Sequence, residues 1–377
     1  MADNNLMTRQ RILVIGGGIA GVSLGSELAH DHDVVLLEAE SSLAVHSTGR
    51  SAATFLGGYG PPPVQELTRL SEPEFARLSA LPDMPPLLSP RGGLFTAWDD
   101  QSAAALTSTI VSQSFMTELS AEKARALCPT LRVDDMALCA LDSSARDIDV
   151  SALHSHYAAR LRRLGGRTET GARVVAADKS GPQWEVRTED GRSWRADRLV
   201  NAAGAWGDEV AETCAGTGHG LSPRRRTVVI ARTSERIPAD WPIVADVAEA
   251  WYFKPEGGAI LMSPGDETPV PPGDVKPDPL EVAMVLERVN AVTALQLRSV
   301  RTSWAGLRTF APDRAPVVGP HPDEPTLFSF VGQGGYGIQM APALAQVGAE
   351  LFRTGTLQDT ALAAAIDPGR VPAVAEH

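Results

Sequence analysis

The feature that most limits what this chain can fold into lies near its start. In RILVIGGGIAGVSLGSELA, Gly16, Gly18 and Gly21 keep a G-x-G-x-x-G spacing directly after a short apolar run and at the opening of a helical pattern. DVVLLEAE then supplies a second apolar run that reaches Glu38. Strand, glycine turn, helix and strand make a βαβ unit, which commits this part of the chain to a parallel sheet covered by helices. The three glycines serve different ends, namely a tight turn, close approach of backbone to a pyrophosphate, and close packing of helix on strand. Glu38 stands where an acid accepts hydrogen bonds from a ribose. Strand, helix and acid together favour a dinucleotide over a glycine turn that holds nothing.

Which dinucleotide is a separate question. VHSTGRSAATFLGGYG, Val45 to Gly60, follows the second strand and carries no full charge besides Arg50. VNAAGAW and GQGGYGI repeat the small-residue turn after a strand, at Val200 to Trp206 and Gly332 to Ile338. A nicotinamide enzyme needs only the first glycine turn, whereas a rigid flavin lying along the protein needs small side chains at several places. The expected fold class is α/β, with a Rossmann-like nucleotide domain and a second domain beside it. A length of 377 residues agrees, because single cores stop growing below that size.

Other expectations follow along the chain. Residues 1–10 read as a frayed leader. Pro61 to Pro90 is proline-rich with amphipathic pieces and reads as the start of an insert-like region. DIDVSALHSHYAARLRRLGG reads as a helix with Gly165-Gly166 at its end, followed by a small meander of strands, and Thr268 to Pro279 reads as a flexible spacer. GGYGIQMAPALAQVGAELFRTG reads as a turn opening a last helix that closes on Gly355. The net charge of −12 argues against nucleic acid, no segment has the length of a membrane span, and three cysteines in no metal spacing fit a reducing, cytoplasmic setting.

HSTGRSAA, LLSPR, LVNAAGAW, WAGLR and GGYGIQ occur here in the order in which the FAD-dependent D-amino acid oxidase superfamily has them. Over Arg11 to about Arg353 the chain resembles that superfamily, most of all its bacterial D-arginine and D-amino acid dehydrogenases. The resemblance implies a two-domain flavoprotein, with a discontinuous Rossmann-like FAD domain over 10–60, 141–215 and 305–360 and a mixed β-sheet substrate domain over 61–140 and 216–304. It implies FAD held by Gly16, Gly18, Ile19, Ala20, Glu38 and Ala39, and by Ser47, Thr48, Arg50, Ser51, Ala52 and Ala53. Val174, Ala203, Gly204, Trp206, Gly306, Arg308, Gly334, Gly335, Tyr336, Gly337 and Ile338 complete the implied cofactor set. Binding is expected to be noncovalent, since no cysteine follows Cys214 and Arg50-Ser51 occupy the neighbourhood of the histidine that some relatives attach to FAD.

For the substrate, the resemblance makes Arg308 the carboxylate clamp, a role that suits the fork of a guanidinium. Arg225, Tyr252, Tyr59, Thr54 and the backbone of Gly335 are implied pocket residues. Arg225 could instead belong to a solvated basic cluster, Tyr252 to the core beside Trp251 and Phe253, and Tyr59 to a domain seam rather than a lid hinged at Gly57-Gly58. Two positions depart from the dehydrogenases: Gly93 stands where they carry an acid, and Thr54 where they carry a histidine. The expected reaction is therefore hydride transfer from Cα of a neutral D-amino acid to FAD, with oxygen or a quinone as final acceptor. The alternatives are oxidation of a secondary or cyclic amino acid or a 2-hydroxy acid, a nicotinamide-dependent dehydrogenase, and a flavin-fold binding or assembly factor without turnover.

Overall fold

The structure is a computed structural model that describes residues 9–372, so the expected leader lies outside them apart from Arg9 and Gln10. Its first layer is a six-stranded sheet in the order Val317–Pro320, Leu327–Val331, Arg198–Asn201, Arg11–Ile15, Asp33–Leu37 and Arg167–Glu169. All neighbours are parallel except the first pair. Ile12 and Val14 pack into one core and Leu13 into another, which is why this strand is a continuous apolar run rather than an alternating one. The helices Ile19–Leu28, Val150–Arg163 and Gly337–Thr354 cover one face, and the meander Val174–Ser180, Gln183–Thr188, Ser193–Ala196 covers the other. The last helix closes on Gly355 at φ 74°, a left-handed cap that favours glycine.

The second layer is a nine-stranded sheet. Its order is Gln333–Gly334, Val300–Phe310, Ser222–Ala231, Ala259–Ser263, Tyr252–Glu256, Ile243–Asp246, Gly93–Ala97, Leu138–Asp142 and Met116–Glu118. One face packs on a separate apolar core with the helix Pro279–Val292. The other face supplies the wall described below.

Two expectations fail here for packing reasons. The proline-rich region does not begin an insert: Pro62 opens an 18-residue helix, Pro62–Ser79, where a missing N–H costs nothing. That helix lies in the nucleotide-side core against the last helix, with Gln339 Nε2 donating to Thr68 Oγ1 at 2.9 Å and Ala343 N to Ser71 Oγ at 3.0 Å. Thr268 to Pro279 is not a free spacer either. Arg225 N donates to Thr268 O at 2.9 Å, Val270 N to Pro223 O at 3.0 Å, and Arg50 Nη2 to Asp274 Oδ1 at 2.7 Å. Among the described residues no helix is long and apolar enough to cross a membrane.

Candidate functional site

A single cavity of about 570 Å³ runs from the glycine turn to the nine-stranded sheet. Every residue expected at the cofactor or the substrate lines it except Arg225 and Tyr336.

At the nucleotide end the site is built of backbone. Gly16 is held at φ 111°, donates its N–H to Leu37 O at 2.8 Å, and any Cβ on it would strike the Ala202 carbonyl. A Cβ at Gly21 would overlap Gly16 O, so the third glycine is what lets the helix seat on the turn. Glu38, 9% exposed, accepts from Gly17 N at 2.7 Å and Glu40 N at 2.9 Å, one bond per oxygen. A carboxylate has about four lone-pair sites, so this one keeps capacity for ribose hydroxyls. Thr48 Oγ1 accepts from Ile19 N at 3.0 Å at the helix opening, where backbone donors favour an anion.

The stretch after the second strand is clamped along Val300–Phe310. Ser47 Oγ donates to Leu307 O at 2.6 Å, Arg50 Nη1 to Ala305 O at 3.0 Å, and Trp304 Nε1 to Arg50 O at 3.0 Å. Ala53 sits at φ 59° with its carbonyl on Ile148 N, a conformation that a bulkier side chain would resist. A glycine cradle, an acid with spare acceptors and a flat small-residue wall fit FAD. His46 lines the cavity beside them, held by Glu40 at 2.9 Å and the Trp206 ring at 4.7 Å, a packing role. No cysteine lines the cavity among the described residues.

At the other end the site is built of side chains. Arg308 is 7% exposed and carries three rings around its guanidinium: Tyr59 and Phe310 at 5.5 Å and Tyr336 at 5.7 Å. Gly335 packs against its face so closely that a Cβ there would overlap Nε and Nη2. Nη2 donates to Tyr59 Oη at 2.7 Å and Nη1 to Glu267 Oε1 at 3.1 Å. Burial alone would depress the Arg308 pKa, but Tyr59, Tyr336 and Glu267 together hold it above its ordinary value. Tyr59 Oη also lies 3.2 Å from Glu249 Oε2, so the tyrosine bridges Arg308 and Glu249.

Arg225 is displaced by strand alternation. It faces the outer side, on Asp266 Oδ2 at 3.2 Å and Asp278 Oδ2 at 3.3 Å, whereas its neighbour Arg226 lines the cavity opposite Gly306. Arg226 Nη2 shares Glu267 Oε1 with Arg308, at 3.1 Å. Tyr336 packs behind the cavity, edge-on to Tyr59 at 5.0 Å. Tyr252 does face the cavity, with Trp251 and Phe253 turned into the second core, and burial raises its phenol pKa. Thr54 lines the cavity from the short strand Thr54–Phe55. Gly57 and Gly58 are not in left-handed conformations; Gly58 is small because a Cβ would overlap the Gln113 amide.

Gly93 does not itself line the cavity, but it lies on the strand face that supplies Phe95 and Asp142 to the wall, so the missing acid is a charge missing from beside that wall. A Cβ at Gly93 would sit among Phe95, Ala145 and Asp142, and Asp142, its partner across the strands, does line the wall. Asp142 and Asp246 are buried acids spent on turns. Asp142 Oδ1 accepts from Ser144 N at 2.7 Å and Ser144 Oγ at 2.6 Å, and Asp246 Oδ2 accepts from Ala250 N at 3.2 Å. Burial pushes both carboxyls upward. Phe95, Met116 and Ile243 make the rest of that wall apolar. Arg226, Glu267, Asp142 and Glu249 escaped the sequence reading; period-two alternation along PRRRTVV is the signal that could have chosen Arg226 over Arg225.

Comparison with known proteins agrees with this geometry. The family described as FAD dependent oxidoreductase matches residues 11–351. Mitochondrial dimethylglycine dehydrogenase of Homo sapiens is 27% identical over 380 residues, 89% of this chain and 42% of that protein. The chain thus spans well under half the length of the dimethylglycine dehydrogenases it matches. FAD-dependent oxidoreductase domain-containing protein 1 of Bos taurus is 34% identical over 183 residues, 42% of this chain and 36% of that one. Among solved structures, L-proline dehydrogenase from P. horikoshii superposes with a TM-score of 0.84 at 22% identity, covering 96% of this chain and 97% of the other. Glycine oxidase from Geobacillus kaustophilus gives 0.81 at 20%, covering 93% and 96%. At such identities these two likenesses concern the fold.

Proposed function

Since this chain belongs to the FAD-dependent oxidoreductase family, we propose that it oxidises the Cα–N bond of an amino acid whose carboxylate is held by Arg308. One observation carries the reading. Two guanidiniums that line the cavity, the buried Arg308 and the half-buried Arg226, share with Arg314 the single carboxylate of Glu267. Buried charges persist only when paired, so the guanidiniums around Glu267 outnumber the carboxylate that holds them, and a substrate carboxylate at Arg308 offsets that excess. A scaffold without turnover has no use for that arrangement.

FAD, when bound, accepts the hydride that leaves Cα. Arg308 fixes the carboxylate, the Gly335 backbone fixes Arg308, and Tyr59 covers the substrate from the mouth. Tyr252, with its raised pKa, stays protonated, so it can hydrogen-bond or pack but is no phenolate base. The amine therefore sheds its proton before the hydride leaves, its lone pair closes the C=N bond, and water then releases the 2-oxo acid and ammonia. As the amine must be neutral, kcat/KM should rise with pH through one ionisation; a rate that needs a second, protonated group would give a bell and contradict this.

The motif resemblance supports a D-amino acid, and the apolar wall at Phe95, Met116 and Ile243 supports a neutral side chain. A second reading, an N-substituted amino acid, is favoured by relatives whose names specify dimethylglycine and proline. The test is anaerobic mixing of the FAD-loaded protein with D-, L- and N-methyl amino acids and 2-hydroxy acids, following the flavin's visible band. Fastest bleaching by neutral D-amino acids supports the first reading, and by N-methyl or cyclic ones the second. Turnover of D-arginine equal to that of D-methionine would overturn the neutral side chain and bring Asp142 or Glu249 into contact with substrate.

A further inference from the structure

Glu267 does not line the cavity, yet it touches the guanidinium groups that do. Resting on the reading of Arg308 as the carboxylate clamp, we propose that Glu267 is a positioning residue that fixes which edge of Arg308 the substrate meets. Its Oε1 accepts from Arg308 Nη1 at 3.1 Å, Arg226 Nη2 at 3.1 Å and Arg314 Nη2 at 2.9 Å, while Oε2 accepts from Arg314 Nη1 at 3.0 Å. The two bonds from Arg314 fix the plane of the carboxylate, as a fork on two oxygens does. Arg314 is itself held in a left-handed backbone at φ 65° with its guanidinium 3.9 Å from the Phe310 ring. The chain accepts a strained residue to keep this anchor in place.

The consequences reach the substrate through Arg308. Nη1 is committed to Glu267, and the guanidinium face is blocked by Gly335. The remaining terminal nitrogen, Nη2, is occupied by the Tyr59 hydroxyl at 2.7 Å. An incoming carboxylate therefore docks at the Nη2 side and takes the place of that hydroxyl, while Glu267 keeps its bonds. The direction of Cα–H toward the flavin then depends on a carboxylate that never touches the substrate. Burial works to raise the Glu267 pKa, but Arg314, Arg308 and Arg226 outweigh it and hold the group below its ordinary range, so it remains ionised where the amine can react.

Glu267→Gln keeps the shape and one acceptor but removes the charge that gathers three arginines. With a substrate that bleaches the wild-type flavin, the limiting anaerobic reduction rate at saturation should fall at least tenfold, because small misplacements of a reacting centre cost on the order of a hundredfold. The Kd of benzoate, read from its perturbation of the flavin band, should not rise by as much, since Arg308 is still present. Glu267→Asp should recover part of the rate. If Glu267→Gln does not retain FAD, Arg314→Met, which removes the outer anchor, should lower the limiting rate at least threefold. A limiting rate within twofold of wild type in these variants would overturn the positioning role and leave the clamp standing. An Arg308→Met protein that binds benzoate as wild type does would instead sink the clamp itself.

Discussion

The two ends of the cavity are made in different ways. At the nucleotide end, Gly16 and Gly21 shape the chain by what they lack, and the groups facing the ligand are largely backbone. At the substrate end, Arg308, Arg226, Tyr59 and Tyr252 act through side chains projecting from a twisted nine-stranded sheet and one loop. A backbone site is written in local sequence, because only certain residues permit the turn. A side-chain site depends on which face of a strand each residue occupies, and a slip of one position reverses it.

That difference accounts for what could be read in advance. The βαβ unit, the small-residue stretch, the last helix and its Gly355 cap were legible, since periodicity and glycine placement are local signals. The place of Arg308 in the cavity lining was legible through its motif. Arg225 and Arg226 differ only by the alternation along PRRRTVV, and which face of that alternation meets the cavity is set by the pairing of Ser222–Ala231 with Val300–Phe310. Gly93 was legible only in part: it shares a strand face with Phe95 and Asp142, but the acid in the wall is Asp142 on the adjacent strand, which gave no local signal. Glu267 gave no local signal at all, because its three arginine partners come from different segments. The helix Pro62–Ser79 could not be placed in its layer from local sequence because its partner, the last helix, is remote along the chain.

The comparison can be broken at several points. The largest effect is expected at the clamp, where Arg308→Met should lower kcat/KM about a thousandfold, since truncating one partner of a buried charged pair costs about 2–5 kcal/mol. Next comes the alternation test. Arg226→Lys, which cannot reproduce a shared guanidinium fork, should cost about tenfold in kcat/KM, whereas Arg225→Lys should stay within about twofold because that side chain faces away. The reverse ranking would undo the register assigned to this strand. At the nucleotide end, Glu38→Gln should weaken FAD about tenfold by equilibrium binding, with the substrate KM of the loaded protein unchanged.

The smallest effect on the site itself comes from a group away from both ends, which acts on stability alone. Buried His219 donates or accepts at Ser329 Oγ, 2.7 Å away, beside the His321 ring at 4.9 Å, and burial, aided by His321, lowers its pKa to about 4. The unfolded chain binds its proton near pH 6.5, so His219 contributes stability that is fully present above that pH. The contribution is lost as pH falls from there toward 4, amounting to about 3 kcal/mol across the window. Thermal melting should therefore fall between pH 7 and pH 5, and His219→Asn should flatten that slope without changing substrate KM.

The most direct test sets an amino acid against the amine of the same side chain that lacks the carboxylate, each mixed anaerobically with FAD-loaded protein. The account predicts that the amino acid reduces the flavin with a kcat/KM about a hundredfold or more above that of the amine, and that Arg308→Met removes most of this advantage. Equal reduction by both, or an advantage that survives the loss of Arg308, would contradict the carboxylate clamp on which the proposed function stands.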